Sequence, residues 1–387
     1  MSTTGLTVVD IPAAERFPSS RASGKSVDVS AERSAGFFRS KTARAMLLAG
    51  LLLLSIEAVV RVRAYMRYGV AGTQADIYEV DPELGRVPTA GATMVSAGAT
   101  TTINRWHMRG PDITLNKPAG VTRILCLGES TTFGQPCDDN TSIWPARLEE
   151  MLNAEGHGTF EVLNGAMPGY TVSSSRLHFA RRLARFASDI VVIYHASTNI
   201  SAHVKREFDP EQITASPWSL SALRDRFSLA YMLLRSNTAA LLADQFPAQR
   251  SDTLDQRGVD FFSNELQRLI EDCRAAGARV IVCTFPRAFD AGQSTAERLR
   301  LAGSALFFNP QLSVDGLEDA YQRYNDAIRT TALDERTVMV DLDRIVPRGD
   351  DDFIDSVHLS PSGHQLVAAT VCRAIKDMTP TLSTPGG

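Results

Sequence analysis

Residues 123–134 read RILCLGESTTFG, a short apolar run followed at once by a glycine, an acid and a serine. Comparable apolar runs recur at residues 160–163, 189–195, 278–285 and 337–342, and each has the length of a β-strand. Short runs that are apolar on both faces are typical of parallel sheets covered by helices on either side. These five segments therefore predict the five strands of a mainly parallel sheet.

Helical patterns lie between and after the predicted strands, at residues 142–154, 173–186, 261–276, 317–332 and 362–376. Strands that alternate with helices predict an α/β fold of three α/β/α layers, doubly wound and flavodoxin-like. In such folds the ligand crevice lies outside the carboxyl ends of the strands. We therefore look for functional side chains in the loops that follow the strands.

The overall composition limits the possible functions. The chain has 387 residues, of which 44% are hydrophobic, enough for a sizeable core. Its 40 Lys and Arg nearly balance its 44 Asp and Glu without a dense basic stripe, so nucleic acid is not an expected partner. The five cysteines are scattered and none stands in a CxxC pair. We expect neither a metal site nor a cofactor, while a single disulfide stays open.

The N-terminal part differs from the rest in composition. Residues 1–43 are rich in Ser, Ala, Arg and Thr and predict a disordered tail. Residues 45–60 read AMLLAGLLLLSIEAVV between basic flanks. As a helix they would cover roughly 24 Å of a hydrocarbon core that is roughly 30 Å thick. We expect a single-pass membrane anchor over residues 44–68, and a buried helix of the folded domain is the alternative.

Basic residues on both sides of this segment leave the orientation undecided by the positive-inside rule. The default expectation places the short tail inside and the large domain on the extracytoplasmic side.

The remaining chain divides into a connector that packs on the core at residues 69–120, a main domain at 121–378 and a tail at 379–387. Residues 202–259 break the strand and helix rhythm of the main domain and predict a helical insertion with an amphipathic helix near residues 220–242. The insertion is either a lid over the crevice or a helix packed on the edge of the sheet.

Ser130 lies directly after the first predicted strand, in the sequence Gly128-Glu129-Ser130. A hydroxyl at this end of a strand, near the start of the following helix, suits a nucleophile, because the backbone amides of the turn can stabilise an oxyanion. The alternative is a serine that caps the helix.

Gly169 and Asn199 lie in the loops after the second and third predicted strands. Gly169 belongs to NGAMPGY at residues 164–170, where glycine can aim a backbone amide inward. Asn199 ends HASTN at residues 195–199, and its side chain would be a further donor in the same crevice. Taken separately, both loops also fit ordinary turn chemistry.

Asp355 precedes His358 by three residues, just ahead of the last predicted helix. An aspartate that accepts from one ring nitrogen fixes the tautomer and leaves the other nitrogen to take a proton from a serine. A surface pair or a helix cap would explain the two residues equally well. His364 competes as the base, but it falls inside the predicted helix and has no carboxylate three residues earlier.

These pieces, in this order, resemble the motif blocks of the SGNH/GDSL hydrolase superfamily: Gly128-Glu129-Ser130, Gly169, Asn199 and Asp355-Ser356-Val357-His358. The resemblance covers residues 123–376. Together with LCLGESTTFG at residues 125–134 and NRWHMRGP at 104–111, the chain looks like the membrane-anchored bacterial branch of that superfamily.

The resemblance implies that Ser130 attacks an ester carbonyl, that His358 acts as base and then as acid, and that Asp355 orients His358. It also implies an oxyanion hole formed by the backbone amides of Ser130 and Gly169 and the side chain of Asn199.

The sequence departs from the family pattern at two positions. The usual Gly-Asp-Ser carries Glu129 at its centre, and the usual Asn-Asp pair reads Asn199-Ile200. The first change keeps a carboxylate next to the nucleophile. The second removes a carboxylate that would help to shape the loop.

The leading function is therefore a serine ester hydrolase that acts on an acylated small molecule, glycan or lipid. Acyl transfer through the same residues is one alternative. A catalytically silent glycan-binding or assembly module is another, and the sequence leaves the oligomeric state open.

Overall fold

The computed structural model describes residues 41–68, 77–96, 99–135, 139–154, 156, 158–205 and 250–378. Most of the predicted N-terminal tail, the predicted C-terminal tail and residues 206–249 of the predicted insertion lie outside the described residues.

Two antiparallel hairpins lie in the stretch predicted as a connector. Strand β1 (Tyr78–Asp81) pairs with β2 (Gly85–Pro88), and β3 (Thr93–Ser96) pairs with β4 (Ala99–Thr102). Each strand has only four residues, and buried and exposed positions do not alternate regularly in β1 and β2. Hydrophobic periodicity therefore could not reveal them.

Five strands form one parallel sheet, which confirms the predicted fold class. They are β5 (Val121–Gly128), β6 (Thr159–Asn164), β7 (Ile190–Tyr194), β8 (Arg279–Cys283) and β9 (Val338–Val340). The strand order is β6-β5-β7-β8-β9, and every neighbouring pair is parallel. All five residues of β7 are buried, as expected for a central strand covered on both faces. The chain order reverses between β5 and β7, so the crevice is expected at their carboxyl ends.

The helices alternate with these strands: α1 (Lys41–Tyr68), α2 (Ser130–Phe133), α3 (Trp144–Ala154), α4 (Val172–His178), α5 (Ser197–Lys205), α6 (Gln256–Ala275), α7 (Thr295–Leu301), α8 (Gly303–Phe308), α9 (Val314–Asp334), α10 (Leu342–Ile345) and α11 (Pro361–Asp377). Helices α3 and α11 pack together on one face of the sheet, and α4, α6 and α9 form the layer on the other. The short helices α7 and α8 lie between β8 and α9, a stretch for which the sequence pattern predicts no helix.

Side-chain caps set the starts of several helices. The side chains of Thr171, Ser313 and Ser360 accept from backbone amides in the first turns of α4, α9 and α11. Pro361 follows Ser360 in the first turn of α11, where its missing N–H is not needed.

Helix α1 contains one segment, residues 44–62, with a mean hydropathy of 2.1 and no part buried inside the structure. By length and composition it is long and apolar enough to cross a membrane. Glu57, five residues before the end of this segment, accepts a hydrogen bond from Arg61 at 2.8 Å, one helical turn away. The acid is therefore held in an ion pair.

Candidate active site

Ser130 is the first residue of α2, two residues after the end of β5. A side chain at Gly128 would collide with Thr132, whose Oγ1 would lie 2.2 Å from the added Cβ, and with the carbonyl oxygen of Tyr194 at 2.9 Å. Only glycine therefore permits this tight turn. Glu129, rather than Ser130, occupies the N-cap position, so the capping alternative for Ser130 is wrong.

Ser130 Oγ lies 2.9 Å from His358 Nε2, and His358 Nδ1 lies 2.7 Å from Asp355 Oδ2. The carboxylate is the acceptor for the Nδ1 proton, which leaves Nε2 to accept from the serine hydroxyl. Three side chains from the two ends of the domain thus form one continuous hydrogen-bonded chain. The His358 side chain is 18% exposed and that of Asp355 is 31% exposed, so the chain opens to solvent at its rim.

Asp355 is held as an anion. Burial alone would raise its pKa, but the hydrogen bond and charge of His358 and two backbone amides outweigh that effect and lower the pKa below the usual 3.8. The two amides, those of Val357 and His358, each donate to Oδ1 at 2.9 Å. Both oxygens of the carboxylate are therefore fixed in direction.

Gly169 lies in the loop after β6 with a φ of +84°, a backbone conformation that favours glycine. The amide of Met167 donates to the carbonyl of Gly128 at 3.1 Å and ties this loop to the end of β5. The side chain of Asn164 donates to the carbonyl of Thr132 at 3.0 Å. Two hydrogen bonds thus hold the Gly169 loop against the Ser130 turn.

Asn199 lies on α5, with 5% of its surface exposed. Its Oδ1 accepts from the amide of Val172 at 3.1 Å, so it connects the first turn of α5 with the start of α4. Ile200, the departure from the family pattern, is completely buried in the main hydrophobic core.

Glu129 holds the first turn of α5, which carries Asn199, a role that the sequence did not reveal. Its carboxylate is buried and accepts from the amides of Ala196, Ser197 and Thr198 at 3.0, 2.9 and 2.6 Å, and also from the Thr198 hydroxyl. Burial raises the pKa of Glu129, while these hydrogen bonds oppose the rise without cancelling it. The acid beside the serine therefore clamps the start of α5. The run of small polar residues after β7 is the sequence feature that could have indicated this role.

Arg109 holds the other end of the Ser130 turn. Its Nη1 donates to the carbonyls of Phe133 and Gly134 at 2.9 and 2.5 Å, and its Nε donates to Asn140 Oδ1 at 3.0 Å. In the sequence, residues 104–111 stood out only because they resemble the family, and no role was predicted for Arg109. The contacts of Arg109 span more than twenty residues of chain and leave no local pattern.

His364 is completely buried at the contact between α3 and α11. Its Nδ1 accepts from the backbone amide of Trp144 at 3.2 Å. The ring thus belongs to helix packing, and His358 is the histidine that meets Ser130.

The sequence matches a known protein family. Residues 126–366 match the GDSL-like Lipase/Acylhydrolase family, and this match covers more than half of the chain. The protein is a hydrolase that acts on ester bonds. The chain belongs to the GDSL-like lipase/acylhydrolase family. No curated protein matches the sequence.

Three solved structures are among those similar to this chain. A lipase/acylhydrolase from Enterococcus faecalis is 18% identical, with a TM-score of 0.42, over 66% of this chain and 96% of its own. An acetylxylan esterase, Axe2, from Geobacillus stearothermophilus is 13% identical, with a TM-score of 0.41, over 66% and 94%. A lipolytic protein of the G-D-S-L family from Desulfitobacterium hafniense is 12% identical, with a TM-score of 0.39, over 65% and 99%.

The clamp made by Glu129 gives a stability prediction. Glu129→Gln keeps the shape but turns an NH2 group toward backbone N–H donors, so at least one buried amide loses its acceptor. We expect the free energy of unfolding to fall by about 1–3 kcal/mol in urea titrations, with a lower kcat for an activated ester. Glu150→Gln, at an exposed glutamate of α3, is the matched control and should keep both values. Equal stability of the two variants would contradict the clamp.

Proposed function

We propose that the chain hydrolyses esters through an acyl-enzyme formed on Ser130, with His358 as the proton carrier and Asp355 as the group that orients it. The observation that carries this proposal is the unbroken hydrogen-bonded chain from Ser130 Oγ through His358 to Asp355, with contacts of 2.9 and 2.7 Å. This constellation suits nucleophilic catalysis by a hydroxyl at neutral pH.

In the first half of the reaction, Ser130 Oγ attacks the ester carbonyl carbon while its proton passes to His358 Nε2. The tetrahedral adduct collapses, the bond between the carbonyl carbon and the leaving oxygen breaks, and His358 gives its proton to that oxygen. In the second half, water loses a proton to His358 and attacks the acyl carbon. The acid is released, and the proton returns to Ser130. Asp355 stays ionised and stabilises the imidazolium that forms twice.

The oxyanion is held, in this proposal, by the amides of Ser130 and Gly169 and by the side chain of Asn199. The support is that Met167 ties the Gly169 loop to the end of β5. Asn199, on α5, accepts from the amide of Val172 at the start of α4, three residues after Gly169. Because Oδ1 of Asn199 already accepts from the amide of Val172, the NH2 group of Asn199 is the part of this side chain that would donate to the oxyanion. Each such donor contributes about 3–4 kcal/mol of transition-state stabilisation in enzymes of this type.

Removal of the nucleophile tests the function. Ser130→Ala should abolish hydrolysis of 4-nitrophenyl acetate, because water alone cannot form the acyl intermediate, and the circular dichroism spectrum should be unchanged. Ser263→Ala is the control, since Ser263 lies on α6 and its hydroxyl donates to the carbonyl of Val259. Turnover retained by the folded Ser130→Ala protein would refute the assignment. Products analysed with and without a sugar acceptor distinguish hydrolysis from acyl transfer.

We propose that α1 anchors the enzyme in a membrane with the folded domain on the extracytoplasmic side, and that acyl groups on envelope glycans or lipids are its substrates. Apolar residues surround the helix rather than forming a single stripe, as is typical of a membrane span. Leucines 48, 53 and 54 are each more than 60% exposed, so the described protein does not cover them. The substrate class follows from this location.

Protease treatment of expressing cells tests the orientation. The full chain should remain in the membrane fraction after alkaline carbonate washing, because residues 45–56 of α1 carry no charge and Glu57 is paired with Arg61. Protease added to intact spheroplasts should remove the folded domain. Release of the chain by carbonate would contradict the anchor. Loss of the domain only after permeabilisation would show that the folded domain lies on the cytoplasmic side and would contradict the proposed orientation.

A further inference from the structure

The hairpin β1–β2 lies against the turn that carries Ser130. The ring of Tyr78 in β1 packs on that of Phe133 in α2, with the ring centres 6.2 Å apart, and the Tyr78 hydroxyl accepts from Gln135 Nε2 at 3.0 Å. The backbone amide of Gln135 donates in turn to the carbonyl of Ser130 at 2.9 Å. Two hydrogen bonds, both made by Gln135, therefore link Tyr78 to the backbone of the proposed nucleophile.

The same hairpin also lies against the loop that carries Gly169. Tyr170, the next residue, donates its hydroxyl to the backbone carbonyl of Arg86 in β2 at 2.8 Å. Ile77, directly before β1, shares a small buried core with Ala166 of this loop. The hairpin thus borders both elements from which the proposed oxyanion hole takes its backbone amides.

Arg86 carries a cation that is held in position but not neutralised. Its guanidinium carbon lies 3.9 Å from the ring centre of Tyr78, so the group rests on the ring face and keeps its N–H edge available. The side chain is exposed, and its guanidinium has no hydrogen-bond or ion-pair partner in the part of the chain that the structure describes. Protein atoms nevertheless crowd the group, and the resulting desolvation lowers the pKa of Arg86. The guanidinium is therefore set into the surface and open to a ligand.

The acids of the hairpin do not neutralise Arg86. Arg86 lies directly opposite Val80 in the register of the two strands, and Val80 is 61% exposed. Side chains alternate along a strand, so Glu79 and Asp81 belong to the opposite face. The contacts of the hairpin acids are Glu79 with His107 Nδ1 at 3.4 Å, and Asp81 and Glu83 with Arg182 Nη2. The face with Arg86 and Val80 is thus left cationic and partly apolar.

The guanidinium is close enough to Ser130 for one small molecule to contact both. The ring separation of 6.2 Å and the stacking distance of 3.9 Å together keep the guanidinium carbon within about 10 Å of the Phe133 ring centre. Ser130 and Phe133 are the first and last residues of the four-residue helix α2. A ligand with its ester at Ser130 can therefore present a second group to Arg86.

We propose that Arg86 binds a carboxylate carried by the substrate, beside the ester that reacts at Ser130. A planar guanidinium pairs with a carboxylate through two parallel hydrogen bonds. Its single positive charge matches a monoanion, whereas a phosphate dianion calls for a second cation. The assignment of this ligand as a substrate rests on the proposed function; the binding of the carboxylate does not.

Calorimetric titration of the full chain in a nonionic detergent tests this proposal, in the Ser130→Ala background so that no ligand is turned over. Monobenzyl succinate and monobenzyl glutarate place a carboxylate at two distances from an ester, and their carboxamides are the neutral isosteres. At least one acid should bind saturably, roughly three- to tenfold more tightly than its carboxamide. Equal binding of acid and carboxamide in both pairs, or no binding of any of the four, would overturn the proposal. Tighter binding of benzyl phosphate than of either acid would overturn the choice of a carboxylate.

Three variants locate the site. Arg86→Gln removes the charge but keeps a planar head group, and should abolish the preference for the acid; Arg86→Lys keeps a cation without the fork and should retain part of it. Arg185→Gln is the matched control and should keep the full preference. Arg185 is also an exposed arginine stacked on an aromatic ring, 5.0 Å from the ring centre of Trp106, but it precedes β7 and so lies toward the amino edge of the sheet.

A folded Arg86→Gln protein that still prefers the acid would overturn the assignment to Arg86. If that variant does not fold, a full preference in Arg185→Gln combined with a reduced one in Arg86→Lys supports the assignment, and an unchanged preference in Arg86→Lys overturns the paired hydrogen bonds. Turnover of 4-nitrophenyl acetate by the wild type is a separate measurement. Its absence would count against the proposed hydrolysis and leave these binding results standing.

Discussion

A single hydrogen bond, between Ser130 Oγ and His358 Nε2, joins residues that are 228 positions apart, and the proposed chemistry depends on it. The sheet fixes one partner, because Gly128 allows β5 to turn sharply into α2. Tertiary contacts fix the position of His358. The hydroxyl of Ser356, between Asp355 and His358, accepts from the amide of Ala305 at 3.0 Å and donates to the carbonyl of Leu301 at 2.6 Å. The short helices α7 and α8 thus hold the loop that delivers the imidazole.

The serine turn is itself fixed from two sides. Glu129 clamps the loop after β7, and Arg109 binds the carbonyls of Phe133 and Gly134 at the far end of α2. Both charged groups are buried, and each is compensated by hydrogen bonds to backbone groups. Buried charge is costly unless it is satisfied in this way, so these residues give the site rigidity at a cost in desolvation. In this chain Glu129 holds the first turn of α5, which carries Asn199, while Ile200 packs in the core.

Local patterns were sufficient for the parts of the molecule that depend on neighbouring residues. The five strands are short, largely apolar runs, and each was predicted within two residues of its observed ends. Ser130, Asp355 and His358 follow sequence signals at strand and helix ends, and the structure brings them together. Arg109 and Glu129 escaped notice because their partners lie far away in the sequence. The hairpins β1–β4 escaped because four-residue strands carry too little periodicity.

The central claim is that Ser130 is the residue that becomes acylated. Fluorophosphonate treatment of the full-length wild-type protein, followed by digestion and mass spectrometry of the peptides, measures this most directly. The account predicts one phosphonylated serine, Ser130, with labelling suppressed when His358 is replaced by alanine. A label on another residue, or none on a folded protein, would contradict it.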